Sequence, residues 1–550
     1  MIWKGLIKSV SKVNSVILQI YKQLNVFVSY TDKRLYIKHI SIIAIFAGIL
    51  FSRPVLSIAQ IVLAVVVVLG GNLKMNYIKL RNDKFVFSFI LIYLIHIIGL
   101  IYSADLNRAA QDLQIKLPLV LFPMAFLLYY KPDLKLFKFI QIVLLVLLTL
   151  KLFVVLGAYF HNYQTFKLYS DKIIWHISHI RLSILVAMLF FIIYTKIVIY
   201  KSLNWYDVYS VILIVIFLLI LKSITGYLLF LVITLAFTIY IFKLITRIKY
   251  KILFLIIIIT AAFFPTYSLV LLYKSFIPKQ IPDYKSLPSV TENNTPYLHD
   301  TINFSFENGY HTGLFLCEAE LEKQWNSSSK IAYTAFDSKN QGIRYTIIRY
   351  LTSKNLTKDS LGFSHLSAKD IKNIENGYTN YRFTGQAGIS TRVYELFCEL
   401  QNYNKGYSTA GHSITQRLEF TKIALQIIKN NPAFGVGTGD VLLAFEQIYK
   451  TNNFLPSNKW WLRSHNQLLT FLIAFGIPLG LVSVFLLYAP LLKLINEPHI
   501  FWPFTLLAIL IMLNEDTLET QHGVAVFGFF YCFIIWSVSL KQNPDFNQNL

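Results

Sequence analysis

The chain has 550 residues, 55% of them hydrophobic and only 14% charged, with a formal net charge of +23. A soluble domain carries nearer a quarter charged residues, so this composition excludes an ordinary water-soluble globule and points to a membrane protein. The cations are dispersed in short loops between apolar runs, which argues against a nucleic-acid-binding face and for a membrane orientation set by cytoplasmic Lys and Arg.

Taken in chain order, residues 1–39 are mixed basic and apolar. They lack the compact apolar core and small-residue cleavage site of a signal peptide. Lys4, Lys8, Lys12 and Lys22 either hold an amphipathic helix on the cytoplasmic membrane surface or belong to a basic tail that only sets topology. Twelve apolar runs then read as membrane helices. Residues 40–51 and 55–70 form a short pair broken at Arg53–Pro54, followed by 85–102, 117–130, 136–160 and 180–200. A tight hairpin, 208–221 and 227–242, turns at Lys222–Gly226, and 252–273 is the ninth run. After a long gap come 468–492, 501–513 and 524–540.

Charge tests this order. With the N-terminus inside, the cytoplasmic segments hold Lys74, Lys79, Arg81 and Lys84, then Lys131, Lys135 and Lys138, then Lys196 and Lys201, then Lys243, Arg247, Lys249 and Lys251. The outer loop 515–522 holds no Lys or Arg. The alternation places both termini in the cytoplasm and the long polar segment outside. The expected organisation is a basic N-terminal segment (1–39), an N-terminal membrane domain of about nine helices (40–273), a large periplasmic loop (274–464), three C-terminal membrane helices (465–540) and a cytoplasmic tail (541–550). Inside the loop, 278–295 reads as an irregular linker. Residues 317–327 and 368–376 read as short amphipathic helices, 345–351 as helix or strand, and 418–429 as a helix stopped at Asn430–Asn431–Pro432.

Chemistry concentrates near the end of that loop. Arg417 opens a helix that stops at Pro432 and runs into the turn Gly435-Val436-Gly437-Thr438-Gly439-Asp440. Trp460-Trp461-Leu462-Arg463-Ser464-His465-Asn466 then stands directly before the tenth span, which puts His465 at the outer mouth of a helix. A His there can act as a base near neutral pH. Arg417, Arg463 and the backbone N–H groups of the glycine turn are suited to a diphosphate; equally, the glycines permit a tight turn or close packing, and the tryptophans suit an interface. His176, His179 and Arg181 stand at the start of the sixth span, and Lys222 and Ser223 at the hairpin turn. Such groups beside a span are functional candidates, with snorkelling to the interface the plain alternative. Glu515, Asp516 and Glu519 form an acidic cluster that reads most simply as a solvated loop, or else as partners for these cations. Cys317 and Cys398 lie in the large loop and would be a possible disulfide if it faces an oxidising compartment, or else two buried thiols. No Walker-type glycine-lysine motif and no metal-ligand spacing is visible.

The order Arg417, Asn431-Pro432, Phe434-Gly435-Val436-Gly437, His465-Asn466 and Gly476 resembles the O-antigen ligase and polymerase superfamily of bacterial envelope glycan assembly. A His-Asn pair, nine residues and a glycine are all present; the small residue that should follow is displaced, with Leu479 in its place and Gly480 next. The run Arg349–Lys354 with Lys358-Asp359, and the run Asp516–Gly523, resemble a Bacteroidetes-type branch. The C-terminal half carries the resemblance, and the N-terminal half shares only the number of helices. It implies an all-α, GT-C-like, metal-independent glycosyltransferase without cofactor in the bacterial inner membrane. Such an enzyme moves glycan from undecaprenyl diphosphate to lipid A–core, with inversion. Carried over, His465 would activate or position the acceptor hydroxyl, Arg417 would bind the donor diphosphate, Arg181 would match an arginine earlier in the membrane domain, and Asn466 would belong with the glycines to the turn near the site. The family's Ser-Arg pair at the hairpin is replaced by Ser223-Ile224, so Lys222 would supply that charge. A repeat-unit polymerase is the alternative with the same donor; a lipid-linked glycan transporter is a third reading, disfavoured because the charged candidates cluster on the outer side.

Overall fold

A computed structural model describes residues 33–69, 73–130, 133–161, 177–221, 223–277, 283–302, 304–384, 389–404, 413–451 and 461–542. The basic segment with Lys4, Lys8, Lys12 and Lys22, as well as His176, Lys222 and Trp460, lies outside the described residues. The chain divides into two compact units, one of residues 1–243, 420–452 and 462–550, the other of 244–419 and 453–461.

The first unit is a helical bundle. Its helices are α1 (Lys33–Phe51), α2 (Arg53–Leu69), α3 (Leu73–Asn82), α4 (Lys84–Ile101), α5 (Leu106–Lys116), α6 (Pro118–Leu128), α7 (Leu134–His161), α8 (His179–Tyr200), α9 (Trp205–Leu221) and α10 (Ile224–Leu244). Seven helices among the described residues are long and apolar enough to cross a membrane, and four shorter apolar ones accompany them. The helix expected at 117–130 begins earlier: α5 and α6 form one candidate span, Leu106–Leu128, with Pro118 in the first turn of α6. Pro at that position costs no hydrogen bond, because the N–H it lacks would have no helical partner anyway.

Polar groups inside the bundle do local work. Lys151 donates to the Leu50 carbonyl at 3.0 Å, satisfying the end of α1 where the chain breaks before Pro54. Lys196 pairs with Asp207 at 2.5 Å and with Gln141 at 2.9 Å, all three buried; paired in this way, they escape the large cost of a lone buried charge.

The second unit holds α11 (Ile248–Phe276), a two-residue hairpin β1 (Phe306–Glu307) and β2 (Tyr310–His311), then α12 (Glu318–Ser328), α13 (Ile343–Ser353), α14 (Ser360–Ser364), α15 (Ala368–Glu375) and α16 (Ile389–Asn404). The strands are antiparallel with Phe306 opposite His311. Leu321, Trp325, Ile347, Tyr350, Leu351 and Ile374 form its core. The two amphipathic helices expected here are α12 and α15, and 345–351 is helical as part of α13. Cys317 and Cys398 are free thiols, so the possible disulfide is absent. Cys317 caps α12 with its N–H on the Lys358 carbonyl, while Cys398 sits on α16 beside Glu307 and Arg349, a different setting.

α17 (Ser413–Asn430) runs from the second unit into the first. The first unit is completed by α18 (Val441–Thr451), α19 (Gln467–Tyr488), α20 (Pro498–Asn514) and α21 (Gln521–Gln542). α8 and α21 are each 94% buried, unlike the other candidate spans. Helices apolar on every side belong at the centre of a bundle, and these two pack against each other there.

Candidate functional site: a charged cluster at the mouth of α19 to α21

Two breaks in the membrane helices build this site. The first is inside α19. Gly476 has φ +70° and ψ −179°, so the helix is interrupted there. Broken turns leave carbonyls without helical partners. The glycine turn supplies them: Val436 N–H donates to Ile473 O and Gly437 N–H to Ala474 O, both at 2.9 Å, and Ile477 N–H returns to Pro432 O at 2.8 Å. The approach requires glycine on both sides. A Cβ on Gly435 (φ +71°) would lie 2.4 Å from the Gly476 nitrogen, and one on Gly476 would lie 2.5 Å from the Ala433 carbonyl. Thr438 N–H donates to Gly99 O, and Gly439 N–H to Ser103 Oγ, so the turn is wedged against the end of α4. Asp440 then accepts from the Ala104 and Asp105 N–H groups at 2.5 and 2.9 Å. The N–H groups of Gly435, Val436, Gly437, Thr438 and Gly439 are thus all committed to protein acceptors. This corrects the expectation that they cradle a diphosphate: the turn splints a helix.

The second break is the connection 515–520 between α20 and α21. Its carboxylates are not solvated; Glu515 and Asp516 are buried, and Glu519 is only 6% exposed. Arg181 NH2 donates to Glu515 at 2.9 Å. Arg463 NH1 reaches Glu519 at 2.8 Å, Lys116 reaches it at 3.1 Å, and the Gln467 carboxamide at 2.9 Å. Gln467 also accepts from Leu518 N–H at 2.8 Å, tying this connection to the first turn of α19. Lys116 is 1% exposed and binds both oxygens of Asp112 at 2.6 Å. Burial alone would raise Glu519; Lys116 and Arg463 outweigh it and hold the carboxyl well below its usual range.

His465 stands at this cluster. Its backbone is left-handed (φ +50°), uncommon outside glycine. The next residue, Asn466, caps α19 by accepting from the Leu468 and Leu469 N–H groups at 3.0 and 3.1 Å. His465 Nδ1 lies 3.6 Å from Asp516 and 3.8 Å from Glu515, and its ring is 6.0 Å from that of Phe420. Arg181 and His465, far apart in sequence, therefore converge on Glu515. Arg181 occupies the first turn of α8, where the helix dipole disfavours a cation. Glu515 offsets that, and the Arg181 Nε is buried with no hydrogen bond among the described residues. The chemistry available is an imidazole within 4 Å of two carboxylates, close enough to offset the charge it gains on taking a proton, next to a guanidinium suited to an anionic leaving group.

His465, Glu515 and Asp516 also offer three donor atoms within 4.8 Å of one another, a spacing that could hold a metal ion. Fifty residues separate the histidine from the acids, so no sequence spacing reveals this trio. Of the other expected site residues, Arg463 is engaged by Glu519, Arg417 is half-buried on α17 in the second unit, and Lys222 falls outside the described residues. Ser223 beside it is buried and accepts from Gly226 N–H at 3.3 Å. Sequence reasoning missed Asp112 and Lys116, although Arg108, Asp112 and Lys116 recur at the four-residue spacing of one helical face.

Fold and site together define a multi-pass helical membrane protein with a buried charged centre where its helices are broken or joined. Residues 371–484 match the family described as O-antigen ligase. That stretch includes Arg417, the glycine turn, His465 and Gly476, and over it the chain is similar to the O-antigen ligase family. No curated protein matches the chain.

Proposed function

We propose that the chain is a metal-independent glycosyltransferase of the ligase type, GT-C-like in its membrane fold, acting at the periplasmic face of the inner membrane. It moves a glycan from undecaprenyl diphosphate to a sugar hydroxyl of lipid A–core. The observation that carries this reading is the convergence of His465 and Arg181 on Glu515 within a chain similar to this family. In the proposed step the acceptor oxygen attacks the anomeric carbon as the bond to the diphosphate breaks. The bonding pair leaves with undecaprenyl diphosphate, and His465 takes the hydroxyl proton. Arg181 neutralises the departing diphosphate, and Arg417 and Lys222 are further candidate donor-binding cations. The leaving group is already activated, so positioning and charge neutralisation supply the catalysis. Arg181 already occupies Glu515, which favours a guanidinium rather than a metal ion as the local positive charge.

The test is the envelope glycan profile of a deletion strain complemented with wild type or His465→Ala. Ligase function predicts long chains retained on the lipid carrier with none on lipid A–core, for the deletion and for His465→Ala alike. Single units on the core without a ladder would reassign the protein as a repeat-unit polymerase. Normal transfer by His465→Ala would refute the catalytic assignment.

A further inference from the structure

The second unit contains a cleft of about 100 Å³ between the β1–β2 hairpin, α13 and α16. Its wall mixes polar and apolar groups. Ser305, Phe306 and Glu307 come from the start of the hairpin, Arg349 from α13, and Cys398, Gln401 and Asn402 from α16.

The wall is rigid where it is charged. Arg349 Nε and NH2 grip one oxygen of Glu307 at 2.6 and 2.5 Å. The other Glu307 oxygen accepts from Asn380 and Tyr394, both at 3.0 Å. Glu307 is 1% exposed, whereas the Arg349 side chain is 36% exposed. The guanidinium therefore presents its outer edge while its charge is neutralised from behind. The carboxamides of Gln401 and Asn402 line the cleft. Each combines a donor with an acceptor.

We propose that this cleft is a binding subsite for one neutral sugar residue of the glycan that the enzyme joins. Paired donors and acceptors match vicinal hydroxyls. A phosphate group is the wrong ligand, because the Glu307 carboxylate stands directly behind the Arg349 guanidinium in the wall. The inference rests on the glycosyltransferase reading, which makes a glycan the molecule at hand, and it assigns the second unit a part in choosing substrate.

The test uses the full chain in lipid nanodiscs and saturation-transfer NMR with the methyl glycosides of glucose, galactose, mannose and N-acetylglucosamine, with glucose 6-phosphate and inorganic phosphate as anionic probes. At least one neutral glycoside should receive saturation on its ring protons with wild type and equally with His465→Ala. Gln401→Ala combined with Asn402→Ala should weaken binding about tenfold, the value of two hydrogen bonds. Gln401→Trp, which fills the cleft from a half-exposed helix position, should abolish it while the protein still elutes as a folded species. Saturation of no neutral glycoside, unchanged binding by both variants, or preference for the phosphate probes would each overturn the proposal. The two readings fail separately. Sugar binding with transfer that ignores His465 refutes the catalytic reading alone; His465-dependent transfer without sugar binding refutes the subsite alone.

Discussion

Replacing Glu519 by Gln should unfold this protein far more readily than its small change in shape suggests. The glutamine keeps the size of the side chain and can still bond Gln467, so the perturbation is chiefly the loss of one negative charge. That charge faces Arg463 at 2.8 Å and Lys116 at 3.1 Å, with Lys116 1% exposed. Lys116 retains Asp112, but Arg463 loses its carboxylate partner. Removing one member of a buried ion cluster costs about 3–5 kcal/mol, roughly two to four powers of ten in the folding equilibrium. The comparison is Arg108→Gln, which breaks a pair with Asp105 at 3.3 Å whose side chains are 41% and 29% exposed and should cost about 1 kcal/mol or less. Thermal unfolding of detergent-purified protein at pH 7, followed by tryptophan fluorescence, measures both. The sign with pH is fixed too. The folded carboxyl of Glu519 is depressed, so its contribution is fully present above the unfolded value of about 4.3 and is lost as pH falls below it toward the folded one. The acid limb of the stability curve should therefore flatten in Glu519→Gln. If that variant shifts the midpoint no more than Arg108→Gln, the cluster does not hold the helix mouth together and the reasoning fails.

Other outcomes follow from the same geometry. Gly476→Ala or Gly435→Ala should yield little folded protein by size-exclusion chromatography, because each forces a left-handed alanine, at about 1–2 kcal/mol, onto backbone 2.4–2.5 Å away; Gly157→Ala, with nothing within 4 Å, should be neutral or gain up to about 1 kcal/mol. Glycan transfer should survive EDTA; a loss restored by a divalent cation would reassign His465, Glu515 and Asp516 to a metal. Alkylation in denaturant without reductant should modify all three cysteines by intact mass, whereas native Cys398, pushed up to about 12 by burial and then by Glu307, should react slowly at pH 8. Lys358 is buried and lowered to about 7, so its burial penalty is full below that value and fades as pH rises toward the unfolded 10.4. The second unit should accordingly gain thermal stability between pH 7 and 10, and Lys358→Met should remove that gain.

Helices were legible wherever one uniform environment dictates sequence: every one of the twelve apolar runs falls on a helix. α5 was not, because its apolar and charged residues alternate around a buried ionic cluster rather than a lipid face. The same limit applied at the site. His465 and its cap Asn466 show as a motif because both act locally, at one helix start. Glu519 reads as a loop acid because its partners lie far off in sequence, Lys116 at 403 residues away and Arg463 at 56. The glycines were visible but ambiguous: sequence fixes that a residue must be small, while only the hydrogen-bond partners tell whether a ligand or a broken helix requires it.

The splint on α19 has a consequence for where water ends. Gly476 is the tenth residue of that helix, so at 1.5 Å per residue it lies roughly 14 Å along it. If α19 crosses a bilayer, as its length and composition allow, its docked segment goes down with it, and residues 432–437 would form a re-entrant dip. Irregular backbone survives at such depth only when protein satisfies its polar groups, and the exchanged bonds between 432–437 and 473–477 do so. Phe434, 72% exposed at the tip, then rests against acyl chains. A cysteine placed there should ignore a membrane-impermeant maleimide in intact cells and react once the lipid is dissolved.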